Sequence, residues 1–225
     1  MSKVVPGAAV ENPALPGGSA DAEHLLEAHG HKDKMGAKVG MWLFLMTELI
    51  LFGGMFLIYG VYRYMNNNDF HTAGQGMNAI IGTLNTVILL TSSLTVAMSI
   101  TALQKGNKKL SVTLLGFTIF FAVWFLVDKY FEWSHEIRNG IYPKSPELLN
   151  RSQGEILFFG LYYVMTGIHG LHVIIGIVVL SFMVSFIARD KVTSTDYSKL
   201  ENAGLYWHLV DIIWIFLFPL FYLLR

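Results

Sequence analysis

The sequence contains no cysteine. That excludes disulfides, thiolate-held metals and iron–sulfur clusters, and it leaves the redox compartment open. Charge is scarce as well: Asp, Glu, Lys and Arg make up 14% of the 225 residues, where soluble domains carry about 25%. The formal net charge is zero, so no broad basic surface points to nucleic acid. The N-terminal segment lacks a basic stretch followed by an apolar run, so no cleavable signal peptide is expected. The first apolar span is then expected to direct insertion.

What is abundant is apolar. Hydrophobic residues make up 53% of the chain and the mean hydropathy is +0.48. A transmembrane helix needs about 20 mostly apolar residues. Five stretches meet that need, at about 39–64, 79–103, 112–127, 154–188 and 203–224. The expected fold is all-α: a polytopic membrane protein built as a bundle of five transmembrane helices. Residues 1–34 are expected to be a mostly disordered polar tail, and residues 35–225 the membrane domain. The tail holds His24, His29 and His31 with Glu23 and Glu27. Metal binding there would need preorganised ligands, so a solvated polar tail is the preferred reading.

Between the spans, 66–76 reads as a polar loop and 104–109 as a short basic connector, while 134–153 reads equally as a polar solvated loop or as a surface where another subunit docks. Ten Lys and Arg fall on the N-terminal side of the membrane and six on the other. This bias predicts a cytoplasmic N-terminus and an external C-terminus.

Ionisable side chains inside a membrane are expensive and usually face protein or water. Glu48 lies ~15 Å inside the first span at 1.5 Å per residue. No basic residue stands three or four positions away from it. It is expected to carry a proton or to hydrogen-bond to another helix. His169 and His172 share one face of the fourth span, and His208 and Asp211 one face of the fifth. The latter two are expected to pair with each other or with a neighbouring helix. The second span is rich in hydroxyls around Asn85, as suits a helix buried among helices. At the end of the third span, Lys129 and Glu132 are spaced for a local ion pair. Glu201 opens the fifth span, where an acid suits a helix N-terminus.

Three kinds of chemistry fit this set: haem or metal ligation, a transporter's proton relay, and buried structural groups of an accessory subunit. A histidine pair three apart is weak evidence for a metal. No internal repeat or broken helix pair supports a transporter. Spacing alone does not separate the last two readings.

Four blocks carry a resemblance: KMGAKVGMWLFLMTELILFGGMF, LNTVILLTSSLTVAMSITALQKGNKK, TGIHGLHVIIG and ENAGLYWHLVDIIWIFLFPLFYL. In this order they resemble successive parts of subunit III of haem–copper terminal oxidases. The resemblance covers about residues 35–224. It implies an accessory subunit beside catalytic subunit I, near subunit II and further respiratory subunits, with no haem or copper of its own. Haem and copper are expected in the partner subunits, and bound phospholipid in this one. The implied role is to sustain proton uptake, protect the oxidase during turnover and help oxygen reach its site.

Residue by residue, Glu48 falls on the family's buried carboxylate in a helix facing subunit I. Glu132 falls on the acid at the outer end of a later helix, and Glu201 on the acid before the last helix. His169, His172, His208 and Asp211 fall on the signature blocks. No catalytic or metal-ligating residue is expected. Many members have seven helices, and this chain lacks the first two. Lipid positions those two contribute do not carry over. Five-helix forms also occur in quinol oxidases and as accessory subunits of nitric oxide reductases. Glu48 with the L-N-T block favours the cytochrome c type, in a bacterial inner membrane.

Overall fold

The computed structural model describes the backbone of residues 18–224 and the side chains of residues 35–224. The side chains of the expected tail, its histidine cluster included, therefore lie outside the described ones. The chain divides into two units, residues 1–40 and 41–225. Among the described residues there is no strand.

Eight elements follow in order. They are α1 (Gly18–Met65), α2 (Asn67–Gln75), α3 (Ala79–Gln104), α4 (Lys108–Arg138), α5 (Pro146–Leu149), α6 (Gln153–Ala188), α7 (Ser198–Phe218) and a terminal π-helical turn (Pro219–Leu223). Five segments are long and apolar enough to cross a membrane: Met35–Met65, Ala79–Gln104, Lys108–Arg138, Gln153–Ala188 and Ser198–Leu223. The five-span expectation holds.

Helix ends follow local chemistry. Asn78, Asn107 and Ser152 accept backbone N–H bonds in the first turns of α3, α4 and α6, satisfying donors that no carbonyl of the helix reaches. After α3, Gly106 turns left-handed at φ +78°, and Asn107 N–H reaches back to the Ala102 carbonyl. Gly140 does the same after α4 at φ +74°, with Ile141 N–H bonding the Glu136 carbonyl. Only glycine takes that conformation without steric penalty, so both helices stop there.

Two expected loops are different. Residues 67–75 form α2, with Phe70, Ala73 and Gly74 buried. Asp69 Oδ2 accepts the Gly154 N–H at 3.1 Å, so α2 caps the start of α6. One apolar anchor in nine residues is too little periodicity to announce a helix. In 134–153, α4 runs on to Arg138 and α5 occupies Pro146–Leu149. The continuing turn is polar, but it carries no Gly or Pro to break it before Gly140.

Burial ranks the spans. In the most apolar window of α7, 56% of residues are buried, against 11% for the first span. So α7 is the central element, antiparallel to α3. Trp207 meets Ser92, Trp214 meets Thr86 and Gly204 meets Val96, fixing one register along both helices. On α1 the inward residues are Met41, Leu45, Glu48, Phe52, Met55 and Tyr59, spaced by three and four, as a helix seam requires. The terminal turn is tied to α1: Tyr59 donates to the Leu220 carbonyl, and Arg63 Nη1 to the Leu224 carbonyl at 2.7 Å.

Candidate functional site

The intramembrane polar side chains form separate groups along the bundle. The first joins α1 to α6. Phe52 and Tyr59 set α1's inner face, and Glu48 lies on it. Its Oε2 stands 2.9 Å from His172 Nε2, a close approach rather than an aligned hydrogen bond. His172 Nδ1 lies 2.8 Å from the Ile168 carbonyl. Phe52 meets the imidazole edge-on at 5.5 Å, and Tyr206 of α7 donates its hydroxyl to the His172 carbonyl at 3.0 Å. Glu48 thus meets another helix of its own chain.

The second group is His169, one turn before His172. It is fully buried, and neither nitrogen has a hydrogen-bond partner among the described residues. Phe125 stands edge-on at 5.6 Å and Trp214 at 5.2 Å, so the ring sits in an aromatic box. The two histidines share a face in sequence yet occupy different surroundings.

The third group lies on α3 and α7. Ser93 Oγ is 2.6 Å from His208 Nδ1. Asp211 is buried, and its oxygens have no aligned partner among the described residues, although Ser93 lies beside it. Of the two expected arrangements, His208 and Asp211 do not pair with each other; His208 meets the neighbouring helix α3. Ser93 stands between them instead. Asn85 is buried two turns further along α3, with both amide atoms unpartnered. Asn85, His169, His172, His208 and Asp211 are thus not one connected network.

The fourth group is the densest. Lys129 Nζ bonds Glu132 Oε2 at 2.8 Å and the Tyr222 hydroxyl at 2.5 Å. Glu132 Oε1 accepts from Tyr162 at 2.6 Å and from Tyr222. The ammonium lies 4.7 Å from the centre of the Trp214 ring. The expected Lys129–Glu132 pair is present, and two tyrosines and a tryptophan complete it. Spacing within α6 gave a partial signal, since Tyr162, Thr166 and His169 share one inward face. Tyr222 carries no such signal, because the π-helical turn sets its direction.

Glu201 sits in the first turn of α7. Among the described residues, no three His, Asp or Glu side chains stand together as a metal site.

These are groups that fasten helices together, and comparison with known proteins agrees on the kind of molecule. The profile described as "Cytochrome c oxidase subunit III" matches residues 20–224. The chain is 30% identical to cytochrome bo(3) ubiquinol oxidase subunit 3 of Pseudomonas aeruginosa, over 91% of this chain and 94% of that one. It is 30% identical to cytochrome c oxidase subunit 3 of Synechocystis sp., over 88% of this chain and 80% of that one. It is 29% identical to a heme-copper oxidase subunit I+III of Aeropyrum pernix, over 85% of this chain but 23% of that longer protein. A profile match spanning nearly every described residue, in a bundle whose five spans bury their polar groups against one another, leads to one assignment: the chain belongs to the cytochrome c oxidase subunit III family.

Proposed function

We propose that this chain is the non-catalytic third subunit of a proton-pumping oxygen reductase of the cytochrome c type. It docks directly on the haem- and copper-bearing subunit I, with subunit II nearby, and the electron chemistry takes place in those partners. Its contribution is to stabilise subunit I and to tune proton uptake and oxygen access. Glu48 is the side chain on which that tuning centres. The location is a bacterial inner membrane, with the N-terminus inside.

The observation that carries this reading is the internal pairing of the polar groups. Glu48 meets His172, Ser93 meets His208, and Lys129 meets Glu132, Tyr162 and Tyr222. Such pairing fastens a scaffold; a standalone transporter needs groups lining a path. A fused subunit I+III relative is consistent with a third subunit that works beside the first.

The test is purification of the tagged chain from its own membranes in mild detergent. Co-purification with a haem-bearing subunit, giving a Soret band, is expected. Recovery of the chain without any haem protein defeats the reading. A second reading, the third subunit of a quinol oxidase, is favoured by the match over 94% of the Pseudomonas aeruginosa subunit. Assaying the purified complex with reduced cytochrome c and with a quinol separates the two.

A further inference from the structure

In its second half, α1 stands off from the other helices. A Cβ added at Gly53, Gly54 or Gly60 would meet nothing within 4 Å, so no neighbouring backbone approaches there. At Gly82 of α3, by contrast, it would meet the rings of Phe218 and Tyr222 at 2.8 and 2.9 Å. Long side chains therefore carry the contacts of α1. Phe52 meets His172 at 5.5 Å, and Phe56 meets Phe216 of α7 at 6.0 Å. Apolar contact of that kind gains a membrane helix little, because lipid tails supply it equally well.

Towards the end of α1, hydrogen bonds take over, and they run to the terminal turn. Tyr59 donates to the Leu220 carbonyl, and Arg63 Nη1 to the Leu224 carbonyl at 2.7 Å. The way α7 ends supplies these acceptors. Pro219 has no N–H, so it cannot continue the regular ladder. The chain widens into a π turn, in which the Leu224 N–H bonds the Pro219 carbonyl at 2.9 Å. The Leu220 carbonyl is left for Tyr59.

On its far side the turn is held by three other helices. Tyr222 bonds Lys129 and Glu132 of α4. The rings of Phe218 and Tyr222 lie on Gly82 of α3, and Phe221 meets Phe158 of α6 at 5.6 Å. Tyr59 is fully buried, with Phe70 of α2 edge-on at 5.4 Å and Phe221 of the turn at 5.2 Å. The turn thus joins α1 to α3, α4 and α6.

Of the five spans, α1 is synthesised first, and the turn follows the last of them. Until 219–224 have been made, Tyr59 lacks its acceptor and one wall of its pocket, and Arg63 lacks its carbonyl. We propose that the turn at 219–224 is a clasp that closes the fold last, seating residues 56–63 of α1 only once the whole membrane domain has been made. A chain cut short before the clasp keeps a loose first span in an otherwise formed bundle. The clasp lies within this one chain and is independent of the complex the chain joins.

The experiment is pulsed electron spin resonance on the full chain in lipid nanodiscs. The cysteine-free sequence accepts one pair of spin labels at Val61→Cys and Phe131→Cys, both exposed. A second pair, at Lys105→Cys and Ser194→Cys, reports on connectors away from the clasp. Both distance distributions are expected to be narrow in the full chain. In a chain ending at Phe218, the distribution between 61 and 131 widens about twofold or more, while that between 105 and 194 stays narrow. Tyr59→Phe combined with Arg63→Met removes both hydrogen bonds from a complete chain and has the same effect. An unwidened distribution between 61 and 131 in that double variant overturns the clasp. In the chain ending at Phe218, an unwidened distribution between 61 and 131, or widening at both pairs, overturns the order of closing.

Discussion

Tyr162 donates its hydroxyl proton to Glu132 Oε1 at 2.6 Å, joining α6 to α4 where Lys129 occupies the other carboxylate oxygen. Tyr222 brings the C-terminal turn to the same carboxylate. Three separate parts of the chain therefore meet on one carboxylate. The Lys129 and Glu132 side chains are 10% and 9% exposed, so the pair is removed from water.

Glu132→Ala strands the Lys129 ammonium. An uncompensated buried charge destabilises by about 3–5 kcal/mol. Lys129→Met together with Glu132→Leu removes both charges and is expected to recover most of that loss. Unfolding in detergent of the wild type, Glu132→Ala and the double variant, compared side by side, checks it. A double variant as unstable as Glu132→Ala alone contradicts the argument.

The spans and the family were legible because apolar run length and several rare polar residues at fixed spacings are properties of the sequence itself. The Lys129–Glu132 pair was legible because it is local, three residues apart on one helix. Partners across helices were not. Glu48 gave notice that it needed another helix, but nothing in its neighbourhood selected His172. Ser93 looked like one hydroxyl among many until register set it against His208. Helix α2 stayed hidden because its evidence is the distant Gly154 N–H that Asp69 caps.

Asp69→Ala tests that cap. The Gly154 N–H then loses its acceptor at the start of α6. Loss of an N-terminal cap costs about 1 kcal/mol. Faster amide hydrogen exchange is expected in the first turn of α6 and in α2, with the rest of α6 unchanged. Exchange in α2 and α6 that is the same in Asp69→Ala as in the wild type would show that α2 docks by Phe70 alone.

The absence of cysteine makes orientation straightforward to measure. Ser194→Cys and Asn150→Cys place single thiols at exposed positions in the connectors on opposite sides of α6. With the N-terminus inside, an impermeant maleimide added to intact cells labels Asn150→Cys and leaves Ser194→Cys unlabelled until the membrane is opened. The reverse pattern inverts the topology.

His169 supplies the sharpest contrast between structural and ligand chemistry. Its ring is buried against Phe125 and Trp214, and both nitrogens are unpartnered among the described residues. Leaving buried polar atoms unsatisfied costs about 1–3 kcal/mol, whereas an apolar group of the same shape avoids that penalty. Phenylalanine is close in shape to imidazole and extends the aromatic box. His169→Phe is therefore expected to hold or raise the unfolding temperature and to leave the haem spectrum of the purified complex unchanged. Alanine in its place opens a cavity and lowers stability by several kcal/mol, as core truncations do. A histidine that ligates or relays a proton behaves in the opposite way, with both substitutions impairing the complex alike. The ordering of phenylalanine at or above histidine, with alanine below both, is thus a signature of packing that no ligand role reproduces.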